Sequence, residues 1–179
     1  MCYTKEASNI KKAFALYAMI ALLLLFAFPS GARAAAAAGQ KLDAKYAQEA
    51  QFIVIDKSDN RLSYYEKGKL VKSFPVATGK KSTLTPEGLF TIHEKIKNRP
   101  YYKEKIKGGD PRNPLGDRWL GLEVTLKGGK VSYAYGIHGT NNEKSIGKYV
   151  SAGCIRMHNK DVRWLYDTVK TETAVLIRK

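Results

Sequence analysis

From Gln51 to Val150 the apolar positions fall in short runs and alternations, not at helical spacing. Phe52-Ile53-Val54-Ile55 is a compact apolar run closed by Lys57-Ser58-Asp59-Asn60. Arg61-Leu62-Ser63-Tyr64-Tyr65-Glu66 then leads through Lys67-Gly68-Lys69 into Leu70 to Ala77. β-rich runs joined by short Gly or Asx turns predict a meander. Further strands are predicted at Gly88 to Ile96, Leu120 to Leu126 and Val131 to Ile137, the last two meeting across Lys127-Gly128-Gly129. Between them Asn98 to Arg118 is a loop marked by Pro100, Gly108, Gly109, Pro111, Pro114 and Gly116. Loops of this length in compact domains are uncommon and usually functional. Tyr101 and Tyr102 are therefore candidates for a flap that contacts substrate over a cleft.

After Cys154 the period changes. Val162, Leu165, Tyr166 and Val169 lie at i, i+3, i+4 and i+7, which predicts an amphipathic helix of about three turns. Asn159 or His158 is placed to cap it, and Asp161 suits the positive end of its dipole. Trp164 reads as packing, and Ala174 to Ile177 as a final strand. The pattern is that of a mainly β domain with a helix beside the Cys154 loop.

The N-terminus reads as a secretory signal: Lys5, Lys11 and Lys12 precede the apolar run Ala13 to Phe28, and Pro29-Ser30-Gly31 and an alanine-rich stretch with A-x-A cleavage sites follow. A run of about 16 apolar residues is short for a membrane span, which needs about 20. The expected organisation is a signal peptide and processing region at 1–38, a short lead at 39–50 and one catalytic-sized domain at 51–179. The expected product is exported, meeting the membrane only transiently through the signal, with an uncleaved anchor as the alternative. Lys41 to Ala50 is read as a short helix or ordered arm.

Charge narrows the partners. The chain carries +15, and residues 35–179 hold 27 basic against 15 acidic residues, a net +12. Such an excess fits a polyanionic partner or surface, or a solvated basic surface that only aids solubility. Export directs this toward anionic envelope polymers, and the basic residues are scattered without a stacking-aromatic motif, which argues against nucleic acid.

Removal of the signal takes Cys2 and leaves Cys154 as the only cysteine, so an internal disulfide is excluded. An intermolecular partner, an inert thiol or a nucleophile remain. His138, in Gly136-Ile137-His138-Gly139-Thr140, lies sixteen residues earlier, and Cys154 stands in Ser151-Ala152-Gly153-Cys154-Ile155-Arg156-Met157. The thiolate is the nucleophile, and an imidazole can take the thiol proton and later return it to a leaving amine. Gly139 is placed to orient the imidazole through its carbonyl, and Gly153 and the Cys154 amide to bind an oxyanion. Arg156 suits a substrate carboxylate by bidentate pairing. Ser151 is a candidate to contact substrate or hold the loop. His93 reads as a strand residue and His158 as a helix-start residue. No short-spacing ligand pair accompanies them, so no zinc site is expected.

The stretch His138-Gly139-Thr140 … Ser151-Ala152-Gly153-Cys154-Ile155-Arg156-Met157 resembles the signature of the L,D-transpeptidase catalytic domain, the YkuD family. The likeness extends through Ala77-Thr78-Gly79-Lys80, Thr85-Pro86-Glu87-Gly88-Leu89-Phe90-Thr91-Ile92 and Asn113-Pro114-Leu115-Gly116, and past the cysteine to Asn159 and Asp161. It covers 51–179. Many members carry histidine where this chain has Ala152, a departure that bears on acceptor preference.

The resemblance implies a β-sandwich-like domain with the cysteine in a cleft, and two-step acyl transfer on peptidoglycan stem peptides without metal or organic cofactor. Cys154 would attack the carbonyl joining the third stem residue to D-alanine, with His138 as base and then acid. A side-chain amine of a second stem would resolve the thioester as a 3→3 cross-link, while water would give carboxypeptidase action. Carbapenem-type β-lactams are the expected inhibitors, and anionic wall polymer a partner of the basic surface, at the wall or in a periplasm. Two other readings stand beside this one: a sortase-like transpeptidase, which also uses Cys, His and Arg, and a non-catalytic wall-binding module.

Overall fold

A computed structural model describes residues 44–179. The expected signal and processing region, with Cys2, and the first part of the 39–50 lead lie outside the described residues.

The predicted meander is formed by β1 (Gln51–Asp56), β2 (Arg61–Glu66) and β3 (Lys69–Pro75), paired antiparallel in chain order. Its second turn has two residues, Lys67 and Gly68, with φ of +46° and +73°. That sign pattern belongs to type I′ turns, whose twist matches that of the strands they join. A second antiparallel group follows: β5 (Gly88–Lys97), β6 (Arg118–Thr125) and β7 (Val131–His138). The last strand, β10 (Ala174–Arg178), enters between the groups, parallel to β1 and antiparallel to β5. With β9 (Ile155–Arg156) beside β7, the sheet runs β3-β2-β1-β10-β5-β6-β7-β9. Two further short strands, β4 (Thr78–Gly79) and β8 (Tyr149–Ser151), pair with each other in parallel.

One face of these strands supplies a single core. Ile53, Ile55, Leu62, Phe74, Ile92, Leu120, Leu122, Ile137, Ile155, Val175 and Ile177 all belong to it, as do Val162 and Leu165 of the helix α1 (Asn159–Thr168). For strands from both ends of an eight-stranded sheet to share one core, the sheet must curl around it, as twisted sheets do. This is the mainly β domain with one helix after the cysteine loop that the pattern predicted.

β1 is apolar on both faces for a visible reason. Phe52 and Val54 point away from the main core and form a second cluster with Tyr65, against which Tyr46, Ala174 and Leu176 pack. Tyr46 stacks on Phe52 with ring centroids 4.3 Å apart. The lead thus contains one 3-10 turn, Ala44–Tyr46, that covers the outer face of β1.

Helix α1 buries Val162 and Leu165, and Val169 caps its end by donating its N–H to the Leu165 carbonyl. Trp164 packs edge-on against Tyr64 at 5.6 Å and against Phe74 at 5.4 Å. The start departs from expectation. His158 occupies the N-cap position but makes no side-chain cap bond. The carboxylate of Glu143, distant in sequence, instead accepts the Asn159 N–H at 3.3 Å and also meets His158 Nδ1.

Because β10 is the seam between the two antiparallel groups, truncating Ile177, which is 1% exposed, strikes both at once. Ile177→Ala is expected to cost about 2–5 kcal/mol, read as a lower urea midpoint at unchanged m-value.

Candidate active site

Strand alternation assembles the site. On the parallel pair β7 and β9, Ile137 lies opposite Ile155, and His138 opposite Arg156. The two isoleucines are fully buried in the core, so the next residue on each strand faces the other way. On β6, Leu120 pairs with Ile137, and Trp119 with His138. Trp119, His138 and Arg156 therefore share one face, and Cys154, two residues before Arg156, opens onto it. A cavity of about 350 Å³ lies there, lined among others by Tyr101, Leu115, His138, Ser151, Cys154 and Arg156.

His138 is 3% exposed, and its Nδ1 lies 2.6 Å from the Gly139 carbonyl oxygen. A carbonyl only accepts, so Nδ1 carries the hydrogen and Nε2 keeps its lone pair for a proton. Burial pushes the imidazole down to about pKa 4, and Arg156 and Arg99 push the same way. The Gly139 and Leu115 carbonyls oppose them. Burial likewise pushes the Cys154 thiol up, against the pull of the Gly136 backbone, Arg156 and Arg99. Both directions favour a neutral thiol beside a neutral imidazole at rest. The thiol points at the Ala134 carbonyl, 3.6 Å away.

The backbone on both sides of this pair is clamped. The Gly153 N–H donates to Ser151 Oγ at 3.0 Å, and the Thr85 hydroxyl donates to the Gly153 carbonyl at 3.0 Å while accepting the Gly79 N–H at 2.9 Å. Gly153 has φ of +136°, and a Cβ there would stand 2.6 Å from the Leu84 carbonyl oxygen, so only glycine fits. Ser151 is 1% exposed, lines the cavity and holds the loop through its hydroxyl, one of the two roles expected of it. On the histidine side, the Asn159 side-chain amide brackets the Thr140 peptide. Its Oδ1 accepts the Thr140 N–H at 3.1 Å, and its Nδ2 donates to the Thr140 carbonyl at 2.7 Å. That bracket fixes the Gly139 carbonyl toward His138. Asn159 was legible only as a cap residue.

The rest of the site divides cleanly. Arg156 ties its backbone to Ala77 by two hydrogen bonds of 2.8 and 2.9 Å, and no carboxylate among the described residues pairs with its guanidinium. Tyr101 lines the cavity, held by paired backbone bonds to Ile106. Tyr102 is turned to solvent, 71% exposed, and does not line the cavity, which corrects the paired flap reading. His93 packs on the Tyr133 ring at 4.7 Å, and His158 meets Glu143.

Trp119 was not singled out by the sequence, yet it packs against His138. Its ring lies 5.6 Å from that of His138, nearly parallel at 23°. Gly121 and Gly136, directly opposite each other on β6 and β7, make its slot: a Cβ on Gly136 would stand 2.6 Å from the indole, and one on Gly121 2.9 Å from its Nε1. Two glycines inside strands were the available signal, since they mark close approach. Arg99 lies over the other ring of this set, 4.2 Å from the Trp119 centroid.

Residues 50–177 match the family model of the L,D-transpeptidase catalytic domain. The chain belongs to that family. It is 46% identical over 126 residues to a Bacillus subtilis protein named L,D-transpeptidase YqjB, covering 70% of each chain. It is 32% identical over 139 residues to an Escherichia coli protein named L,D-transpeptidase ErfK/SrfK, covering 70% of this chain and 43% of the other. Among solved structures, the L,D-transpeptidase fold recurs in an Enterococcus faecium L,D-transpeptidase with TM-score 0.56 at 24% identity, over 73% of this chain and 50% of that one. L,D-transpeptidase 3 from Mycobacterium tuberculosis, solved with a faropenem-derived adduct, gives 0.51 at 19% identity, over 73% and 60%.

The buried His138 of this L,D-transpeptidase domain ties stability to pH. Below about pH 6.5 the unfolded chain takes up a proton at His138 that the native state resists until about pH 4, so stability falls as pH falls across that window. A native-state loss of about 3 kcal/mol is expected by pH 4 from this group alone. Urea midpoints measured from pH 7 to pH 4 in wild type and His138→Gln check it, the variant showing the shallower decline.

Proposed function

We propose that the chain is an exported peptidoglycan L,D-transpeptidase that forms 3→3 cross-links through a Cys154 acyl-enzyme. The observation that carries this is the convergence on one cavity of Cys154, a His138 whose Nδ1 is anchored on the Gly139 carbonyl, and an Arg156 guanidinium that no carboxylate among the described residues pairs with. Family membership supports stem peptides as the substrate class.

In the donor half-reaction, His138 Nε2 takes the Cys154 proton and the sulfur attacks the carbonyl that joins the third stem residue to D-alanine. The Gly153 N–H is held by Ser151, so oxyanion binding is assigned to the Cys154 amide, with Gly153 giving the loop its turn. Imidazolium then protonates the departing amine, the C–N bond breaks, and D-alanine leaves from a thioester. A side-chain amine of a second stem adds to the thioester carbonyl, losing its proton to His138. The tetrahedral adduct expels the Cys154 sulfur, which regains the proton, and an amide cross-link remains. Water in place of the amine gives a tripeptide. Arg156 holds a carboxylate of the donor in either case.

Two further points belong to the proposal. The neutral resting pair favours a nucleophile made on demand, which limits loss of the thiol to adventitious electrophiles. A second cavity of about 330 Å³ gathers Lys57, Lys80, Lys81 and Lys179, and it supports contact with anionic wall polymer. Of these, Lys57 is already engaged by Glu87 at 2.7 Å.

Mature protein mixed with disaccharide-tetrapeptide is expected to show, by intact mass, a transient thioester and loss of D-alanine. Cys154→Ala abolishes both, and His138→Gln slows turnover at least about a hundredfold. Dimeric products support cross-linking, and tripeptide alone supports the hydrolytic variant. A carbapenem, by analogy with an L,D-transpeptidase solved in complex with imipenem, is expected to leave one covalent adduct on wild type and none on Cys154→Ala. A thiol that reacts with iodoacetamide yet gives neither adduct would rule the proposal out in favour of a different acyl donor or a wall-binding module.

A further inference from the structure

The L,D-transpeptidase reading uses one cation beside the nucleophile, but the face holds a second guanidinium. Arg99 leads into the 98–118 loop, and its position is set before any ligand arrives. Its carbonyl accepts from Asn113 Nδ2 at 2.9 Å, and Asn98 beside it takes φ of +52°, so the backbone here is held in a fixed turn. The guanidinium rests 4.2 Å from the Trp119 ring centroid and 5.7 Å from that of Tyr102. Trp119 in turn stacks on His138. A planar cation held by ring faces keeps its N–H edge free for an acceptor, the arrangement suited to bidentate carboxylate binding.

The cavity that Cys154 and His138 line, on which Arg99 acts from its edge, lacks anions. The cavity lining includes Lys103 and Arg156, and none of the residues that line it is acidic. Arg112, Arg118, Arg163 and Arg178 each have an aspartate partner, whereas no carboxylate among the described residues pairs with Arg99 or Arg156. Both of these guanidiniums act electrostatically on Cys154 and on His138. Unpaired cations converging on two reacting groups raise the cost of protonating the base, and a structure that keeps them there is arranged for an anionic ligand.

We propose that Arg99 is a second carboxylate-recognition residue, so that the donor subsite takes a peptide bearing two carboxylates near the reacting carbonyl, one read by Arg156 and one by Arg99. The assignment of the peptide rests on the function proposed above. The charge requirement itself does not. Tyr102, exposed and placed against the guanidinium, then acts as a positioning residue that keeps Arg99 over Trp119.

Two alkylating agents that differ in charge test this without any stem peptide. In each, the Cys154 sulfur attacks the methylene carbon, the C–S bond forms and iodide leaves. The ratio of rates for iodoacetate over iodoacetamide, followed by intact mass at one pH, cancels changes in thiolate fraction. Arg99→Met is expected to lower that ratio about fivefold, with Arg99→Lys keeping most of it and Lys103→Met lowering it much less. An unchanged ratio in Arg99→Met overturns the proposal. So does an equal fall in Lys103→Met, which would mean a diffuse field and no built contact. A second arm uses disaccharide-tetrapeptides amidated at one carboxylate at a time. Arg99→Met is expected to raise KM for the free acid and to leave KM unchanged for one amidated form. An equal rise for every form overturns the proposal. If wild type turns over none of the donors, the proposed reaction fails, and the alkylation ratio still decides the role of Arg99.

Discussion

The site depends on one pairing: two residues of β9 laid parallel against the end of β7. Their register, Ile137 to Ile155 and His138 to Arg156, sends both isoleucines into the core and turns the base and the guanidinium to the opposite face. A slip of one residue would exchange the two sets and bury the polar pair where the aliphatic pair now packs. The free energy of burying those isoleucines thus sets the direction in which His138 and Arg156 point. Because Cys154 lies two residues before Arg156, it inherits the same face.

Two residues of strand are a weak hold, and the neighbouring backbone is locked by side chains that stand in for absent strands. Thr85 and Ser151 satisfy the two polar ends of Gly153, and Asn159 satisfies both ends of Thr140. Each uses a short side chain with few rotamers, so little entropy is lost in holding the loop. The amide of Asn159 offers the Thr140 peptide the acceptor and donor that a neighbouring strand would have offered. Around this frame burial sets the electrostatics. It pushes the Cys154 thiol up against the pull of the cations and the His138 imidazole down together with them, so both directions favour the uncharged forms.

Much of this was legible in the chain. Short apolar runs and alternations gave the longer strands because their apolar residues are buried, β1 on both faces, and the i, i+3, i+4 spacing gave the helix because Val162 and Leu165 reach the core fully. Cys154, His138, Gly139, Gly153 and Arg156 were readable because residue type and spacing carry the chemistry. What escaped notice did so for physical reasons. The strands β4, β8 and β9 are two or three residues long, too short to show a period. Trp119 reads as ordinary core until its slot between Gly121 and Gly136 is seen. Thr85 and Asn159 act across sixty-eight and nineteen residues of sequence, which no local window captures. Tyr101 and Tyr102 are adjacent, and nothing local tells which of them faces the cavity.

The position of β10 has a consequence for the order in which the domain can form. The last strand made is a middle strand of the sheet, between β1 and β5. Until Ala174–Arg178 has emerged, the meander β1-β2-β3 and the group β5-β6-β7-β9 have no common edge, and their shared core has no floor at Val175 and Ile177. Joining residues more than a hundred positions apart is a long loop closure, the kind that slows folding. Insertion of the late strand β10 is therefore the slow, long-range closure that completes the sheet and its shared core.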